Sequence, residues 1–384
     1  MALARRGIEA RIFETRSDPI DEGAGIQLGP NATRILIELG LAERLAPSLV
    51  APDHIVVHDG LSGRELTRFP LGPDIRRRHG APYWVIHRAD LYRALGAAVA
   101  EEPLITVASG QTVMDVTAGR DGGARIRMAE GGSSDGALLI AADGLWSRLR
   151  ALLAPTFQLE ATGVTAARAV LAIEDVPERF RAPVTGIWLA PDSHVVHYPV
   201  HGGQALAIVA IAPGGESGSG WSRDIEATDV VARFPRLPAA LGELFDQVPK
   251  WRQWALMRGG ITFQAAASGG TGNDEALPIV FIGDAAHPIQ PFLAQGGAMA
   301  IEDAAVFAAL YARPGGDAAR VIRDFAQLRG KRIAAVQAAS IENGRIYHLN
   351  GLARSMRNAT LGLTPGGLMI RRYDWLYGWQ MAKA

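Results

Sequence analysis

Apolar positions along this chain fall into two periods, and the periods alternate. The stretch "NATRILIELGLAERL" spaces its apolar residues as one face of a helix, with Asn31 as its cap and Gly40 as its stop. "HRADLYRALGAAVAEE" does the same, placing Leu91, Leu95 and Val99 on one face. Two further helices are predicted over 297–312 and 317–347. Between them run short apolar stretches of strand length: "HIVVHDG", "ALLIAADG" and "LPIVFIGDAAH". "LITVASGQTVMDVTAGRDGGARIRMAEGG" predicts short antiparallel strands joined by Gly-rich turns, and 161–267 is strand-rich throughout. Strands and helices in alternation predict an α/β chain with mixed α+β parts.

The opening, "MALARRGIEARIFE", reads as the back half of a unit. Met1 to Arg6 has helix-forming composition, Gly7 stops it, and Ile8 to Glu14 is a strand ending in an acid. Helix, glycine, strand and acid form the second part of a dinucleotide-binding βαβ unit, whose glycine-rich turn precedes the acid by about 20 residues. The order of elements predicts two interleaved domains. One gathers 1–50, 80–160 and 268–345; the other is sheet-rich and gathers 51–79 and 161–267. The segment 346–384 is a helical, aromatic tail whose "RRYDWLYGWQ" packs back on the body. No tandem repeat is visible, and only "PGGESGSG" approaches low complexity.

Composition narrows the function. The chain has 384 residues, 48% of them apolar, enough for a sizeable core. Lys+Arg and Asp+Glu both total 39, which argues against nucleic acid or an anionic membrane as partner. The chain has no cysteine. Disulfides, thiolate metal sites and thiol catalysis are excluded, and a reducing compartment follows as the simpler reading. The first residues lack a signal-peptide core, and no window approaches a membrane span, so the expectation is a soluble cytoplasmic protein.

Three stretches carry candidate chemistry. In "FIGDAAHPIQPFLAQGGAMAIEDAAVF" a buried strand ends at Gly283-Asp284, and Gly296-Gly297 open a helix. An acid at the C-terminal edge of a strand sits where α/β sheets bind ligands, and a helix start offers free N–H groups to an anion. The bland alternative is an ordinary helix after a strand. "LLIAADGLWSRLR" places Asp143-Gly144 after a strand, before Ser147 and Arg150; alone it equally describes a simple Asp-Gly turn. In "DSHVVHYPV" alternation puts His194, Val196 and Tyr198 on one face and His197 on the other. His194 and Tyr198 then stand roughly 13 Å apart, able to flank an aromatic ring, or else simply to be satisfied core residues. His54, His58, His79, His87, His201, His287 and His348 show no ligand spacing, so no metal is assigned. The serines lack a nucleophile elbow.

In this order these stretches resemble the group-A FAD-dependent aromatic hydroxylases, closest in flavour to salicylate, 3-hydroxybenzoate and 6-hydroxynicotinate monooxygenases. The resemblance runs from about residue 3 to 378. "DGLWSRLR" matches the family's Asp-Gly motif and "GDAAHPIQPFLAQGGAMAIEDA" its Gly-Asp motif; "GIQLGPNATRIL", "HRADLYRAL" and "ENGRIYHL" are also family-like. The resemblance implies a Rossmann-like, three-layer FAD-binding domain interleaved with a β-sheet substrate domain, as in para-hydroxybenzoate hydroxylase. It implies FAD as cofactor, NADH or NADPH and O2 as co-substrates, a small aromatic acid as substrate, and a possible homodimer. By its motifs Glu14 would hold the adenosine ribose, Asp284 the ribityl chain, Arg88 the pyrophosphate or ribityl region, and Asp143 the cofactor and nicotinamide path. Gly296 and Gly297 would meet the flavin's N1–C2 edge, and Pro291 would sit beside its reacting edge. His194 and Tyr198 would form the substrate pair, with Arg168 beside them, and one of the pair would deprotonate the phenol. The implied reaction is hydroxylation through a flavin hydroperoxide.

The chain departs from the family at three places. The first strand and its glycine-rich turn are not seen before Glu14, and "DEGAGIQLG" is no substitute. Losing a central strand would leave neighbouring backbone groups unpaired, so the expectation is an internal Met1 in a record with a misassigned start or a truncation. A cofactor-poor paralogue that binds aromatic ligands is the alternative. A Trp-Arg pair of the family is here Ala167-Arg168, which predicts a roomier pocket and admits a tailoring hydroxylase or epoxidase acting on a larger substrate. Pro291 stands where 3-hydroxybenzoate 6-hydroxylase-like enzymes carry glutamine, which favours the salicylate or hydroxynicotinate flavour.

Overall fold

Gly7, at φ +72°, takes the left-handed conformation that ends the short 3-10 turn Ala4–Arg6 and releases the chain into β1 (Ala10–Glu14). The computed structural model describes residues 1–17, 24–214, 222–234, 236–265, 277–314 and 317–381. Most of the Gly/Ser-rich stretch after Pro213 and the domain edge expected at 268 lie outside the described residues.

The strands follow in chain order as β2 (Gly25–Leu28), β3 (His54–Asp59), β4 (Glu65–Pro70), β5 (Trp84–His87), β6 (Ile105–Ser109), β7 (Val113–Ala118), β8 (Ala124–Met128), β9 (Ser133–Gly136) and β10 (Leu139–Ala141). Then come β11 (Leu159–Ala172), β12 (Val184–Ala190), β13 (Ser193–Val200), β14 (Ala205–Pro213), β15 (Arg223–Ile225), β16 (Trp251–Gly259) and β17 (Ile279–Phe281). The helices are α1 (Pro30–Glu38), α2 (Ala42–Leu45), α3 (Gly72–His79), α4 (Arg88–Ala100), α5 (Arg148–Leu153) and α6 (Ala227–Val231). After them come α7 (Ala239–Asp246), α8 (Gly296–Tyr311), α9 (Ala318–Tyr347), α10 (Gly351–Leu363), α11 (Gly366–Met369) and α12 (Asp374–Tyr377).

β1 pairs with β6 and β10 with β17, both in parallel, while β7, β8 and β9 form an antiparallel meander. The expectation that "LITVAS" opens this meander is therefore corrected. Its strand, β6, pairs in parallel with β1, far earlier in the chain, and not with β7, the next strand. Asn31 is corrected as well. Pro30 occupies the first helical position, Gly29 precedes it, and Asn31 lies inside α1 with its side chain fully buried. Gly40, at φ +74°, follows the helix end as expected.

The largest sheet has the order β15-β16-β11-β14-β13-β12-β3-β4, drawn from residues 54–70 and 159–259. Strict alternation gives its central strands two buried faces. Ala167, Ala169, Leu206, Ile208, Val195 and Trp251 pack beneath α6 and α7 with Leu241, Leu244 and Phe245. On the opposite face Ala166, Ile211 and Leu256 meet Phe292, and Tyr198, Val200 and Ala207 join the main core. The C-terminal tail packs back: Arg332 donates to the carbonyls of Trp375 and Leu376, each at 2.9 Å, and Tyr377 seats against Gly29. Among the described residues no helix is long and apolar enough to cross a membrane.

Candidate active site

The site begins where β17 ends. Gly283 turns the chain at φ +58°, and Asp284 follows with its carboxylate in an open cleft. Desolvation by the surrounding protein raises its pKa, opposed by His287, Arg88 and Arg150. Arg150 fixes this turn from the other motif. Its Nη1 donates to the carbonyls of Asp284 at 3.0 Å and Ala285 at 2.9 Å, while its own backbone N–H is capped by Ser147 Oγ at 2.9 Å. The first turn of α8 lies beside the carboxylate: a side-chain carbon on Gly296 would stand 3.9 Å from Asp284 Oδ1. Gln295 precedes this 16-residue helix without capping it by its side chain, so the positive end of the helix faces the cleft. A side-chain carbon on Gly297 would stand 2.5 Å from Ile26 Cδ1 and displace the tip of that side chain, so the glycine lets Ile26 of β2 seat directly on α8.

Behind this turn lies a buried charge cluster that sequence reasoning missed. Asp303 Oδ2 accepts the Gly283 N–H at 2.9 Å and meets His287 Nε2 at 2.5 Å, and Oδ1 accepts Arg329 Nε at 2.7 Å. Desolvation would raise the Asp303 pKa, but these partners together hold it below the usual value. Glu302 accepts from Arg329 at 2.6 Å, Arg332 at 2.8 Å and Asn31 at 2.8 Å; Asn31 also donates to Gln295 at 3.0 Å. The signal was in "AIEDAAVF": two adjacent acids nearly two turns into a hydrophobic helix must find buried cations.

The opposite wall is the face of the large sheet. The Tyr198 ring packs on β2 at Gly25, where a side-chain carbon would approach Tyr198 Cε2 to 2.2 Å. Its hydroxyl hydrogen-bonds the Gln27 side chain, whose Oε1 also accepts from Tyr83 Oη at 2.7 Å. Burial pushes the Tyr198 pKa up to about 12, with Arg168 and the Gln27 hydrogen bond opposing. Arg168 lies two strands away, on the rung of Val209 and Val196. Its guanidinium rests 5.0 Å from the Trp254 ring centroid, its Nε is buried without a hydrogen bond, and it faces Tyr198 and Arg88. Among the described residues no carboxylate pairs with Arg168, and burial lowers its pKa. Arg88 in turn faces Asp284, so the two walls are linked electrostatically.

His194 occupies the same sheet face as Tyr198 but a different neighbourhood. Its Nδ1 lies 2.8 Å from His348 Nε2, and its ring touches Phe292 and Tyr347. The Pro291–Leu293 turn is clamped from α9: Ser340 Oγ donates to the Gln290 carbonyl at 2.6 Å and Asn343 Nδ2 to the Phe292 carbonyl at 3.3 Å. His197 lies on the reverse face against Phe180 and Trp188, away from the site.

The other expected site residues sit as follows. Glu14 ends β1, and its carboxylate accepts the Arg16 N–H at 3.0 Å. Asp143 is exposed and accepts the Leu149 N–H at 3.1 Å, steadying the start of α5. The inference from Ala167 is corrected: its side chain belongs to the second core, so its small size cannot enlarge a pocket on the opposite face. His87, Asp90 and His201 converge, with ligand atoms within 4.8 Å of one another; 114 positions separate the two histidines, a juxtaposition no local spacing signals.

These residues fit FAD. The Asp284 carboxylate offers an acceptor for hydroxyls, the open start of α8 offers donors to a ring edge, and Arg88 is a cation with no ion pair among the described residues. The glycine at 296 leaves in front of Asp284 the space that a side chain would fill.

Comparison with known proteins agrees. Residues 1–336 match the family described as FAD binding domain. The chain is 32% identical to 3-hydroxybenzoate 6-hydroxylase of Klebsiella oxytoca over 381 residues, covering 99% of this chain and 93% of that protein. It is 30% identical to 6-hydroxynicotinate 3-monooxygenase of Bordetella bronchiseptica over 351 residues, covering 89% and 86%. A solved salicylate hydroxylase in complex with its substrate superposes with a TM-score of 0.78 at 23% identity, covering 99% of this chain and 92% of that one.

Proposed function

The chain belongs to the group-A FAD-dependent aromatic hydroxylases, and from that premise we propose that it hydroxylates a small salicylate-like or hydroxybenzoate-like acid. The overall reaction consumes one aromatic acid, one O2, one NAD(P)H and one proton, and yields the hydroxylated acid, water and NAD(P)+. Bound FAD supplies hydride acceptance and oxygen activation. In this reading residues 1–50, 80–160 and 268–345 hold the cofactor, and 51–79 and 161–267 wall the substrate.

One observation carries the substrate class. Arg168 is a desolvated cation with no carboxylate partner among the described residues, set beside a phenol and an indole face. Such a cation is stabilised by an anion from outside the chain, and an aromatic carboxylate between Tyr198 and Trp254 satisfies it. Tyr198, with its pKa near 12, remains protonated at neutral pH and orients the ring by hydrogen bonding. Desolvation and then the neighbouring His348 hold the His194 pKa well below its ordinary value, so His194 is neutral and can accept a hydrogen bond that orients the phenol. Pro291 and Phe292 close the site over this histidine, and Gly296, Gly297, Asp284, Asp143, Arg88 and Glu14 hold the cofactor. We place the enzyme in the cytoplasm.

The test is titration of the FAD-loaded protein with benzoate, salicylate and 3-hydroxybenzoate, followed by flavin absorbance. Arg168→Met should weaken all three, since all carry the carboxylate. Equal binding by the variant and the parent would remove the basis of this assignment.

A further inference from the structure

His87, Asp90 and His201 come from separate parts of the chain and meet between α4 and the β13–β14 turn. His87 ends β5 and stands at the start of α4, where its side chain does not cap the helix; Asp90 lies in the first turn of α4. His201 follows β13 in the short turn His201–Gly203, which the Gly202 N–H ties to the Ser48 carbonyl at 2.9 Å. There His201 takes the left-handed conformation, at φ +52°, which few residues other than glycine adopt. One ligand atom from each of the three side chains lies within 4.8 Å of the other two. The imidazoles stack with 4.3 Å between ring centroids, and Asp90 Oδ2 lies 2.7 Å from His201 Nδ1. That oxygen is buried, and the short approach is not aligned as a hydrogen bond. The other carboxylate oxygen accepts from Arg93 at 2.5 Å, which fixes the orientation of the group. His87 and Asp90 are buried, His201 is half-buried, and both histidines line a cavity of about 580 Å3.

We propose that His87, Asp90 and His201 bind one divalent cation of the zinc class. Two imidazoles and one carboxylate are a donor set for zinc and its first-row neighbours, whereas magnesium and calcium take oxygen donors. A single ion pair with Asp90 needs only one histidine. The second imidazole, brought to the same point across 114 positions, is what an ion uses and an ion pair does not. Metal bonds of about 2.0–2.2 Å set ligand atoms about 3.3 Å apart around a tetrahedral ion, so the widest separation closes by about 1.5 Å on binding. The His201 side chain, 34% exposed, has room for that movement. Arg93 then serves as the outer partner that orients the coordinating carboxylate. Three protein ligands leave a fourth position open to the cavity. Arg168 and Lys250 in the cavity wall favour an anion there, hydroxide or chloride, and their repulsion of the metal keeps its affinity in the micromolar range. The bound ion ties the start of α4, where Arg88 faces Asp284, to the turn after β13 in the large sheet. The site is independent of the aromatic-acid assignment above.

The experiment is equilibrium dialysis of the FAD-loaded protein, first stripped with a chelator, against Zn2+ alone, with the thermal midpoint read alongside. The parent should take up one zinc per chain with a Kd of about 10 µM or below, and its midpoint should rise by about 3 °C at a hundredfold excess over Kd. His201→Asn suits the left-handed turn, and His87→Phe keeps a ring stacked on residue 201. Each should weaken zinc binding at least about tenfold and abolish the thermal gain. His348→Gln removes the other close imidazole pair, His194 with His348, and should bind zinc as the parent does. A parent that takes up no zinc at about 100 µM overturns the site. So does parental affinity in either folded variant, or loss of the zinc in His348→Gln.

Discussion

Arg150 donates to the main-chain carbonyl of Asp284 at 3.0 Å, joining two motifs that lie 134 residues apart. The guanidinium is buried, and through this contact and its neighbour on Ala285 it sets the turn that carries the cleft's carboxylate. Arg150→Ala strands these carbonyls without a donor. The expected loss is roughly 2–3 kcal/mol of stability and at least tenfold in FAD affinity. Urea unfolding and flavin-fluorescence titration measure the two effects separately.

Asp284→Ala addresses the cleft itself. The carboxylate is exposed to the cleft and makes no side-chain ion pair among the described residues, so stability should change little. Flavin retention should fall by about tenfold or more, read as the ratio of flavin to protein absorbance after gel filtration. An unchanged ratio would remove Asp284 from the cofactor site.

Ala167→Leu separates the two faces of the sheet. The side chain points into the core beneath α6 and α7, where added volume costs about 1–3 kcal/mol. Substrate affinity should be unaltered. A changed affinity without lost stability would return residue 167 to the pocket wall.

Acid should destabilise the fold through its neutral buried histidines. Burial, with His58 adding to it, lowers the His197 pKa from 6.5 to about 3. A depressed histidine contributes stability that is fully present above the unfolded pKa and is lost as pH falls from about 6.5 toward about 3. His197→Phe should flatten the fall of the urea midpoint between pH 7 and pH 4.5. A slope equal to that of the parent would mean that His197 is already charged in the folded state.

Much of this was legible in the sequence because it is local. Period 3.6 located α4, α8 and α9, and period 2 set His194 and Tyr198 on one face of β13. Glycine at 7 and 40 marked helix ends through the left-handed conformation. What escaped was long-range. Asn31 reads as a cap by type, yet Pro30 claims the helix start and Glu302, 271 positions away, claims the amide. "LITVAS" reads as a hairpin arm, yet its partner is β1, about 95 positions earlier and parallel to it, a pairing no local pattern shows. Ala167 reads as space in the site because a sequence motif does not show which of two adjacent residues points inward. His348 stood among histidines without ligand spacing; only the meeting of α9 with β13 gives it His194 as a neighbour.

The most direct test of the central claim is oxygen uptake by the FAD-loaded protein in the presence of NADH or NADPH, with and without salicylate, 3-hydroxybenzoate and 6-hydroxynicotinate. The account predicts that at least one hydroxylated aromatic acid accelerates NAD(P)H oxidation and is recovered carrying one additional oxygen atom from O2. A flavin-loaded protein whose NAD(P)H oxidation none of these acids accelerates, and which returns each of them unchanged, would contradict it.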